Sequence, residues 1–248
     1  MILILLSLIL INSSLRAGTI DTISSKPYIP PIEYKLRGSD FILPAALITV
    51  GTIFSTTEYK DIFSIKRGDK YYEKTYFDDV LCAAVPASLF LFDMLGEEKN
   101  HFVDQALLMG GSMAIAAVPV YLLKEYYDSP RPTGGKLNSF PSGHTAIAFV
   151  GAHTIYKEFR ETNPWIAYSG YLLATGVGAA RMYHNRHWFC DVLAGAGIGI
   201  LSTELAYLIY TPLRNLVTEK WNRSRNDNIS LQPTVFRDAV GVNLSLKF

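Results

Sequence analysis

Residues 181–191 read RMYHNRHWFCD, and residues 192–213 continue as VLAGAGIGILSTELAYLIYTPL. The second stretch carries one charged side chain, Glu204, and is as long as the roughly 20 apolar residues that a transmembrane helix needs. It therefore predicts a membrane-spanning helix. The first stretch places basic, imidazole and carboxylate side chains directly before that helix, where the membrane meets water.

Other apolar segments of the chain have the same character. Hydrophobic residues make up 49% of the 248 residues and the mean hydropathy is positive, which together favour a membrane protein. Together with Val192–Leu213, the segments predict an all-α integral membrane bundle of about five to six helices. They are Phe41–Ser55, Val80–Leu95, Phe102–Leu123, His144–Tyr156 and Trp165–Ala180. The net charge of +1 argues against a nucleic-acid partner, which usually requires a basic face.

Both ends of the chain differ from the membrane-embedded domain, which we place at 40–213. Residues 1–17 begin with an apolar run that is typical of a signal peptide or an N-terminal anchor. Residues 18–39 contain several prolines and predict an extended, exported arm. Residues 214–248 form a short polar C-terminal tail. Within it, apolar and polar residues alternate from Val240 to Phe248, which predicts a lone β-strand or a flexible tail.

Three glycines, Gly195, Gly197 and Gly199, have the spacing of a nucleotide-binding loop. No strand precedes them, so the context that such a loop requires is missing. Gly195 and Gly199 are instead expected to form a contact face of small residues between packed helices.

His187 and Asp191 lie four residues apart at the start of the predicted helix, so they share one face of it. A carboxylate beside an imidazole fixes its tautomer and leaves the other ring nitrogen free to attack phosphorus. His187 is therefore a candidate nucleophile and Asp191 its orienting group. The alternative is a buried pair that only stabilises the helix.

The tetrapeptide Pro141–His144 (PSGH) opens another predicted helix. Ser142 is a favoured N-cap residue, and the backbone N–H groups at a helix start bind anions. Ser142 and Gly143 are therefore candidate phosphate ligands. His144, in the first turn, is a candidate proton donor to a leaving group. The alternative is an ordinary helix cap with a histidine that faces solvent.

Three cations, Lys124, Arg131 and Arg181, stand at or beyond the ends of predicted spans. A guanidinium group matches pairs of phosphate oxygens, and an ammonium group adds a point charge. Each cation alone also fits a side chain that reaches for the membrane edge. In combination with the histidines, the three predict one phosphate site in which positive charge stabilises phosphoryl transfer.

No metal is expected in this site. His144, His184 and His187 have side chains of the kind that bind zinc. Arg131 and Arg181 would lie near such an ion and repel it, so a zinc site is disfavoured.

These groups of residues resemble the three signature motifs of the type 2 phosphatidic acid phosphatase family. The first motif is matched by Lys124, six intervening residues and Arg131-Pro132, the second by Pro141–His144, and the third by Arg181, His187 and Asp191. Ala180 stands where the family often has serine. The resemblance covers residues 80–213 and implies a helical bundle, no metal requirement, a phosphohistidine on His187, and His144 as acid and then as activator of water.

From this resemblance we expect a lipid phosphate phosphatase that hydrolyses a phosphate monoester or diphosphate on a lipid headgroup. The candidate substrates are lipid A, undecaprenyl diphosphate and phosphatidylglycerophosphate. The expected partners are a lipid phosphate and the bilayer, with no cofactor. The alternatives are a phosphotransferase to an acceptor other than water, a vanadate-dependent haloperoxidase, and a non-catalytic lipid-phosphate binding protein.

Basic residues predict the orientation in the membrane. The loop Glu58–Tyr76 and the segment after Leu213 are both rich in Lys and Arg, so both are expected to be cytoplasmic. The site then lies on the periplasmic face of a bacterial inner membrane. Because the arm also starts outside, one segment must fail to cross. Val80–Leu95, which contains Pro86 and has aspartates within and before it, is predicted to be re-entrant or interfacial.

Overall fold

The structure is a computed structural model, and it describes residues 31, 34, 37–61, 77–93, 102–134, 137–223, 229–236 and 239–246. The predicted signal peptide or anchor, 1–17, and most of the predicted arm, 18–39, lie outside the described residues. Residues 32–215 form one compact unit, and residues 1–31 and 216–248 belong to another.

Within the described residues the chain forms six α-helices. They are α1 (Ile42–Thr56), α2 (Phe77–Asp93), α3 (Phe102–Tyr126), α4 (Gly143–Phe159), α5 (Pro164–Tyr183) and α6 (Phe189–Arg223). Three helical stretches are long and apolar enough to cross a bilayer: Gly38–Thr56, Phe102–Tyr126 and Phe189–Asn222. The chain is therefore a helical membrane protein, as its composition predicts.

The starts of α4 and α5 follow from local sequence. The hydroxyl of Ser142 accepts a hydrogen bond from the backbone N–H of Thr145, so Ser142 is the N-cap of α4 as predicted. Asn163 caps α5 in the same way, through the N–H of Ile166, and Pro164 occupies the first helical position. Proline is well suited to that position because its missing N–H has no helical partner there.

Helix α4 gives the bundle two ends, which we call the Ser142 end and the Phe159 end. Helix α2 starts at the Ser142 end, where Asp79 contacts His144, and reaches the Phe159 end, where the rings of Phe92 and Phe159 meet. It runs the whole length of α4. It is shorter than the three stretches that are long and apolar enough to cross a bilayer. That Val80–Leu95 is re-entrant or interfacial therefore stays a prediction.

The chain enters α1 from the Phe159 end of the bundle. Asp40 lies 3.8 Å from the ammonium group of Lys157, and Tyr34 donates a 2.6 Å hydrogen bond to Glu204. The far end of α1 lies at the Ser142 end, where Gly51 packs against the backbone of Ala194. Tyr34 and Asp40 are therefore at the end opposite His144. For the described residues of the arm, the prediction that the arm and the site share one face is wrong, and with this entry point the six described helices run alternately up and down.

A buried polar cluster fixes this entry point. Glu204 accepts hydrogen bonds from Tyr34 and pairs with Lys157 at 2.6 Å and with His153 at 2.6 Å. Glu204 is 1% exposed and Lys157 6%. Buried charges of this kind are stable only when they are paired. His153 is thus a packed core histidine, as its position in the middle of a helix suggests.

Glycines set the close approach of α6 to its neighbours, as predicted for Gly195 and Gly199. A methyl group at Gly199 would overlap the carbonyl oxygen of Ala146 and lie 2.9 Å from Cβ of Phe149, on α4. A methyl group at Gly195 would lie 2.5 Å from the carbonyl oxygen of Ser142. Small residues are the usual means by which membrane helices pack backbone to backbone.

We expect Gly199→Ala to destabilise the bundle by about 1–3 kcal/mol, the usual cost of overpacking. The two helix backbones would have to separate, and the atom in the way is a main-chain oxygen. Thermal unfolding in detergent measures the effect as a lower melting temperature. Gly176→Ala in α5 is the matched control, because a methyl group there meets no atom within 4 Å. Equal melting temperatures for the two variants would contradict this packing role.

The described tail residues form a two-stranded antiparallel hairpin, β1 (Ile229–Phe236) and β2 (Ala239–Leu246), in which Ile229 pairs with Leu246. Strand β2 coincides with the alternating pattern that predicted a lone strand. The prediction missed β1, because Pro233 within it cannot donate to a strand ladder and argues against a strand.

Candidate active site

His187 and Asp191 meet at the start of α6 in the interior of the protein. His187 Nδ1 lies 3.5 Å from Asp191 Oδ2, and the side chains are 2% and 0% exposed. This distance is too long for a hydrogen bond, and Nδ1 makes none in the structure. The contact nevertheless places the carboxylate on the Nδ1 side of the ring, so the opposite nitrogen, Nε2, is the one available to a substrate.

Asp191 is held by its own partners. Oδ2 accepts hydrogen bonds from the hydroxyl of Ser139 at 2.5 Å and from the backbone N–H of Trp188 at 2.9 Å. Hydrogen bonds to a buried carboxylate stabilise its charged form. Asp191 is therefore kept as a fixed anion beside His187.

Burial lowers the pKa of His187 to about 4, because the protein interior disfavours the charged ring. The neighbouring carboxylate of Asp191 opposes this effect, while the charges of Arg181 and Lys124 add to it. The imidazole is therefore neutral at physiological pH, with a lone pair available for attack on phosphorus.

We expect the His187 ring to remain neutral from pH 8 to about pH 5 and to become protonated near pH 4. The unfolded chain would bind this proton near pH 6.5, so the contribution of His187 to folding stability is present above pH 6.5 and is lost as the pH falls toward 4. Imidazole ¹⁵N chemical shifts of histidine-labelled protein measure the midpoint, with His187→Gln to assign the signal. A midpoint near 6.5 would contradict the buried, cation-flanked setting.

The start of α4 adjoins this pair directly. The backbone N–H of Ser142 donates to the carbonyl oxygen of Asp191 at 3.0 Å. Ser142 is fully buried, and its hydroxyl oxygen accepts from the Thr145 hydroxyl at 2.9 Å. The helix N-terminus, with Gly143 in its first turn, is thus fastened beside the His187–Asp191 pair. Helix N-termini attract anions.

Two of the predicted cations share one partner, Asn138. Lys124, in the last turn of α3, donates to the carbonyl oxygen of Asn138 at 2.8 Å. Arg131 donates through Nε to the side-chain oxygen of Asn138 at 3.2 Å. One residue therefore brings both positive groups together. This bond uses Nε of the Arg131 guanidinium group and not its two terminal nitrogens.

The third cation, Arg181, is buried in the last turn of α5 with 4% of its surface exposed. Its charge lies close enough to His187 to lower the pKa of that ring. The structure therefore brings it to the same site.

His144 is less deeply buried than His187. Its side chain is 34% exposed, and its Nε2 lies 2.7 Å from Asp79 Oδ1.

Trp188 ties the loop that carries Arg131 to the start of α6. Its indole N–H donates to the carbonyl oxygen of Pro130 at 2.7 Å. Lys60 lies over the same ring, 5.7 Å from its centre, and donates to the hydroxyl of Ser129 at 2.6 Å. Lys60, at the start of the loop Glu58–Tyr76, is therefore at the Ser142 end. The sequence predicted that this loop and the segment after Leu213 lie on the same side of the membrane, and for Lys60 this prediction is wrong.

All eight predicted site residues lie at the Ser142 end of the bundle. They are Lys124, Arg131, Ser142, Gly143, His144, Arg181, His187 and Asp191. The sequence did not identify three further residues that hold them: Asn138, Ser139 and Asp79. Asn138 and Ser139 directly precede the PSGH motif, which is the only signal the sequence offered. Asp79 stands 65 residues from His144, and only folding brings it there.

Residues 133–214 match the family model described as the PAP2 superfamily. This match contains the second and third motifs and confirms the resemblance that the motifs predicted. The first motif, Lys124 to Pro132, precedes the matched residues. It joins the other two through the contacts of Asn138 and Trp188.

Two curated proteins are similar to parts of the chain. A lipid A 1-phosphatase of Porphyromonas gingivalis is 43% identical over 97 residues, which are 39% of this chain and 22% of that protein. An undecaprenyl-diphosphatase of Sulfolobus acidocaldarius is 38% identical over 82 residues, 33% of this chain and 34% of that protein. The chain thus spans between about a fifth and a third of the length of these relatives.

Two solved structures also resemble the chain. LpxE of Aquifex aeolicus aligns with a TM-score of 0.46 and 24% identity, over 61% of this chain and 93% of its own. A transmembrane PAP2 type phosphatidylglycerolphosphate phosphatase from Bacillus subtilis aligns with a TM-score of 0.45 and 19% identity, over 73% of this chain and 96% of its own.

Proposed function

We propose that this protein hydrolyses a phosphate monoester or diphosphate on a membrane lipid headgroup. The observation that carries the proposal is the buried imidazole of His187, which has the Asp191 carboxylate on its Nδ1 side and the charges of Arg181 and Lys124 near enough to lower its pKa. A nucleophile among cations is suited to a reaction in which a phosphoryl group gains negative charge. The membrane helices beside it explain why the phosphate would be carried by a lipid.

In the proposed first step, Nε2 of His187 attacks phosphorus and the bond from phosphorus to the ester oxygen breaks. Lys124, Arg131, Arg181, Ser142 and the N–H of Gly143 hold the other phosphate oxygens. His144 donates a proton to the departing oxygen, so the lipid leaves as a neutral alcohol or as a monophosphate. Asp191 stabilises the imidazole as it becomes positively charged.

In the second step, water attacks the phosphohistidine and the bond between nitrogen and phosphorus breaks. His144, now neutral, accepts the proton from that water. Inorganic phosphate leaves, and both histidines return to their starting states. No metal takes part in this scheme, because the cations and the helix N-terminus provide the positive charge.

Among the candidate substrates we favour a lipid A phosphate. The support is the relative of 43% identity named as a lipid A 1-phosphatase. Undecaprenyl diphosphate is the second candidate, supported by the relative of 38% identity, and phosphatidylglycerophosphate is the third. Phosphate release by purified protein from these three lipids, in matched detergent micelles, tests the proposal. Release from none of them would contradict it.

The alternatives predict different products. A phosphotransferase would yield a phosphorylated acceptor in place of free phosphate when candidate acceptors are added. A vanadate-dependent haloperoxidase would oxidise halide in the presence of vanadate and peroxide. A binding protein would hold the lipid phosphate without turnover, although binding alone does not require the orienting carboxylate that His187 has.

We place the protein in a bacterial inner membrane with the Ser142 end in the periplasm. The support is the segment after Leu213, which is rich in Lys and Arg and begins at the opposite end with Arg214. In that orientation Tyr34 and Asp40 are cytoplasmic, so the described part of the predicted arm and the site lie on opposite sides of the membrane. Reaction of a cysteine introduced at Asp128, an exposed residue near the site, with a membrane-impermeant maleimide in whole cells tests the orientation.

A further inference from the structure

His144 has a carboxylate partner of its own that no motif contains. Its Nε2 lies 2.7 Å from Oδ1 of Asp79, in the first turn of α2. The side chains of His144 and Asp79 are 34% and 57% exposed, whereas those of His187 and Asp191 are 2% and 0% exposed. The Ser142 end therefore has two histidine–carboxylate pairs among its described residues, one buried and one partly exposed.

The surroundings of His144 otherwise oppose a positive charge on its ring. His144 is in the first turn of α4, and the positive end of a helix dipole disfavours a cation there. Lys124 on α3 and Arg181 on α5 add positive charge to the same site. Facing His144 from α2, besides Asp79, is the thiol of Cys82, which donates to the carbonyl oxygen of His144 at 3.4 Å. A general acid in this position needs a compensating anion.

We propose that Asp79 is a positioning residue that orients the His144 ring and favours its protonated form. The carboxylate accepts from Nε2, which leaves Nδ1 as the nitrogen that delivers a proton to the departing lipid oxygen. In the second step the same pair favours return of the proton from water to the ring. This inference rests on the proposed role of His144 as acid and then as base.

The exposure of the pair sets the expected size of the effect. Solvent screens an attraction between groups of which one is about a third and the other more than half exposed. We expect Asp79→Asn to lower kcat on a lipid phosphate about 10- to 100-fold, at or below the lower end of the range that proton transfer contributes. We expect the basic limb of its pH–rate profile to move down by about one pH unit, because the ring loses its proton more easily without the carboxylate.

The experiment compares two leaving groups in the first turnover. An alkyl phosphate releases a strongly basic oxygen that needs a proton, whereas p-nitrophenyl phosphate releases a phenolate that does not. Asp79→Asn and His144→Ala should both slow release of the alkyl alcohol and have much less effect on release of p-nitrophenol. His187→Ala should abolish both. Glu125→Gln removes an exposed carboxylate at the same end of the bundle and is the matched control, with unchanged rates.

A double variant separates positioning from an independent role. Because Asp79 acts through His144, adding Asp79→Asn to His144→Ala should cause no further loss. Additive losses, or an Asp79→Asn variant that behaves like Glu125→Gln on both substrates, would overturn the inference while leaving the proposed function intact. A wild-type protein without phosphatase activity, or an active His187→Ala variant, would instead refute the proposed function.

Discussion

Replacing His187 with alanine should lower kcat about 10⁴-fold or more, with no loss of folded protein from the membrane. The variant loses the only protein atom that bonds to phosphorus in the proposed reaction, and removing such a nucleophile from an enzyme costs factors of this size or larger. The cavity left by one buried imidazole costs at most a few kcal/mol. Phosphate release and the melting temperature in detergent measure the two effects separately.

The covalent step gives this prediction a second, independent readout. Acid-labile, base-stable ³²P should appear on the wild-type protein when a labelled substrate is quenched in alkali, and it should be absent from His187→Ala. His184→Ala is the matched control, because His184 is three residues away and outside the pair with Asp191. Label retained by His187→Ala would place the phosphohistidine elsewhere and would refute the proposed mechanism.

Asp191→Asn should lower kcat about 10³-fold while the fold survives. The amide oxygen of asparagine can still accept from Ser139 and from the N–H of Trp188, as Asp191 Oδ2 does. What is lost is the negative charge that stabilises the imidazolium formed when His187 attacks, together with control of the ring tautomer. Single-turnover phosphorylation of His187 measures the loss at the step where it arises.

Ser139→Ala is the comparison variant for this second prediction, because it separates the loss of a hydrogen bond to Asp191 from the loss of the charge of Asp191. It removes one hydrogen bond from a buried carboxylate, which is worth about 1.5–3 kcal/mol, but leaves the charge in place. We therefore expect a loss of about 10-fold, well below that of Asp191→Asn. If the two variants lose equal activity, position rather than charge is the contribution of Asp191. If neither loses activity, the pair only stabilises the helix.

The local features of this chain were readable from its sequence. Apolar segments predicted the helices, Ser142 predicted the cap of α4, and Gly195 and Gly199 predicted close helix contacts. Each depends on residues near one another in the chain, so spacing and residue type suffice. The motifs were readable for the same reason, since His187 and Asp191 are one helical turn apart.

The partners of the site residues were not readable. Asp79 reaches His144 from another helix, and Ser139 reaches Asp191 across 52 positions. Asn138 unites Lys124 and Arg131 because its loop folds back beside the end of α3. Nothing in the residue types predicts these pairings, because they depend on which helix faces which and at what height.

The sequence by itself determined that this is a helical membrane protein, and it named the side chains that we propose bind phosphate. Tertiary structure alone decided the direction in which the chain enters the bundle. Tyr34 and Asp40 are drawn to Glu204 and Lys157, at the end opposite His144. The physical reason is that a buried charge requires a partner, and the partner for this cluster comes from a distant part of the chain. Counting spans from apolar segments cannot detect that requirement.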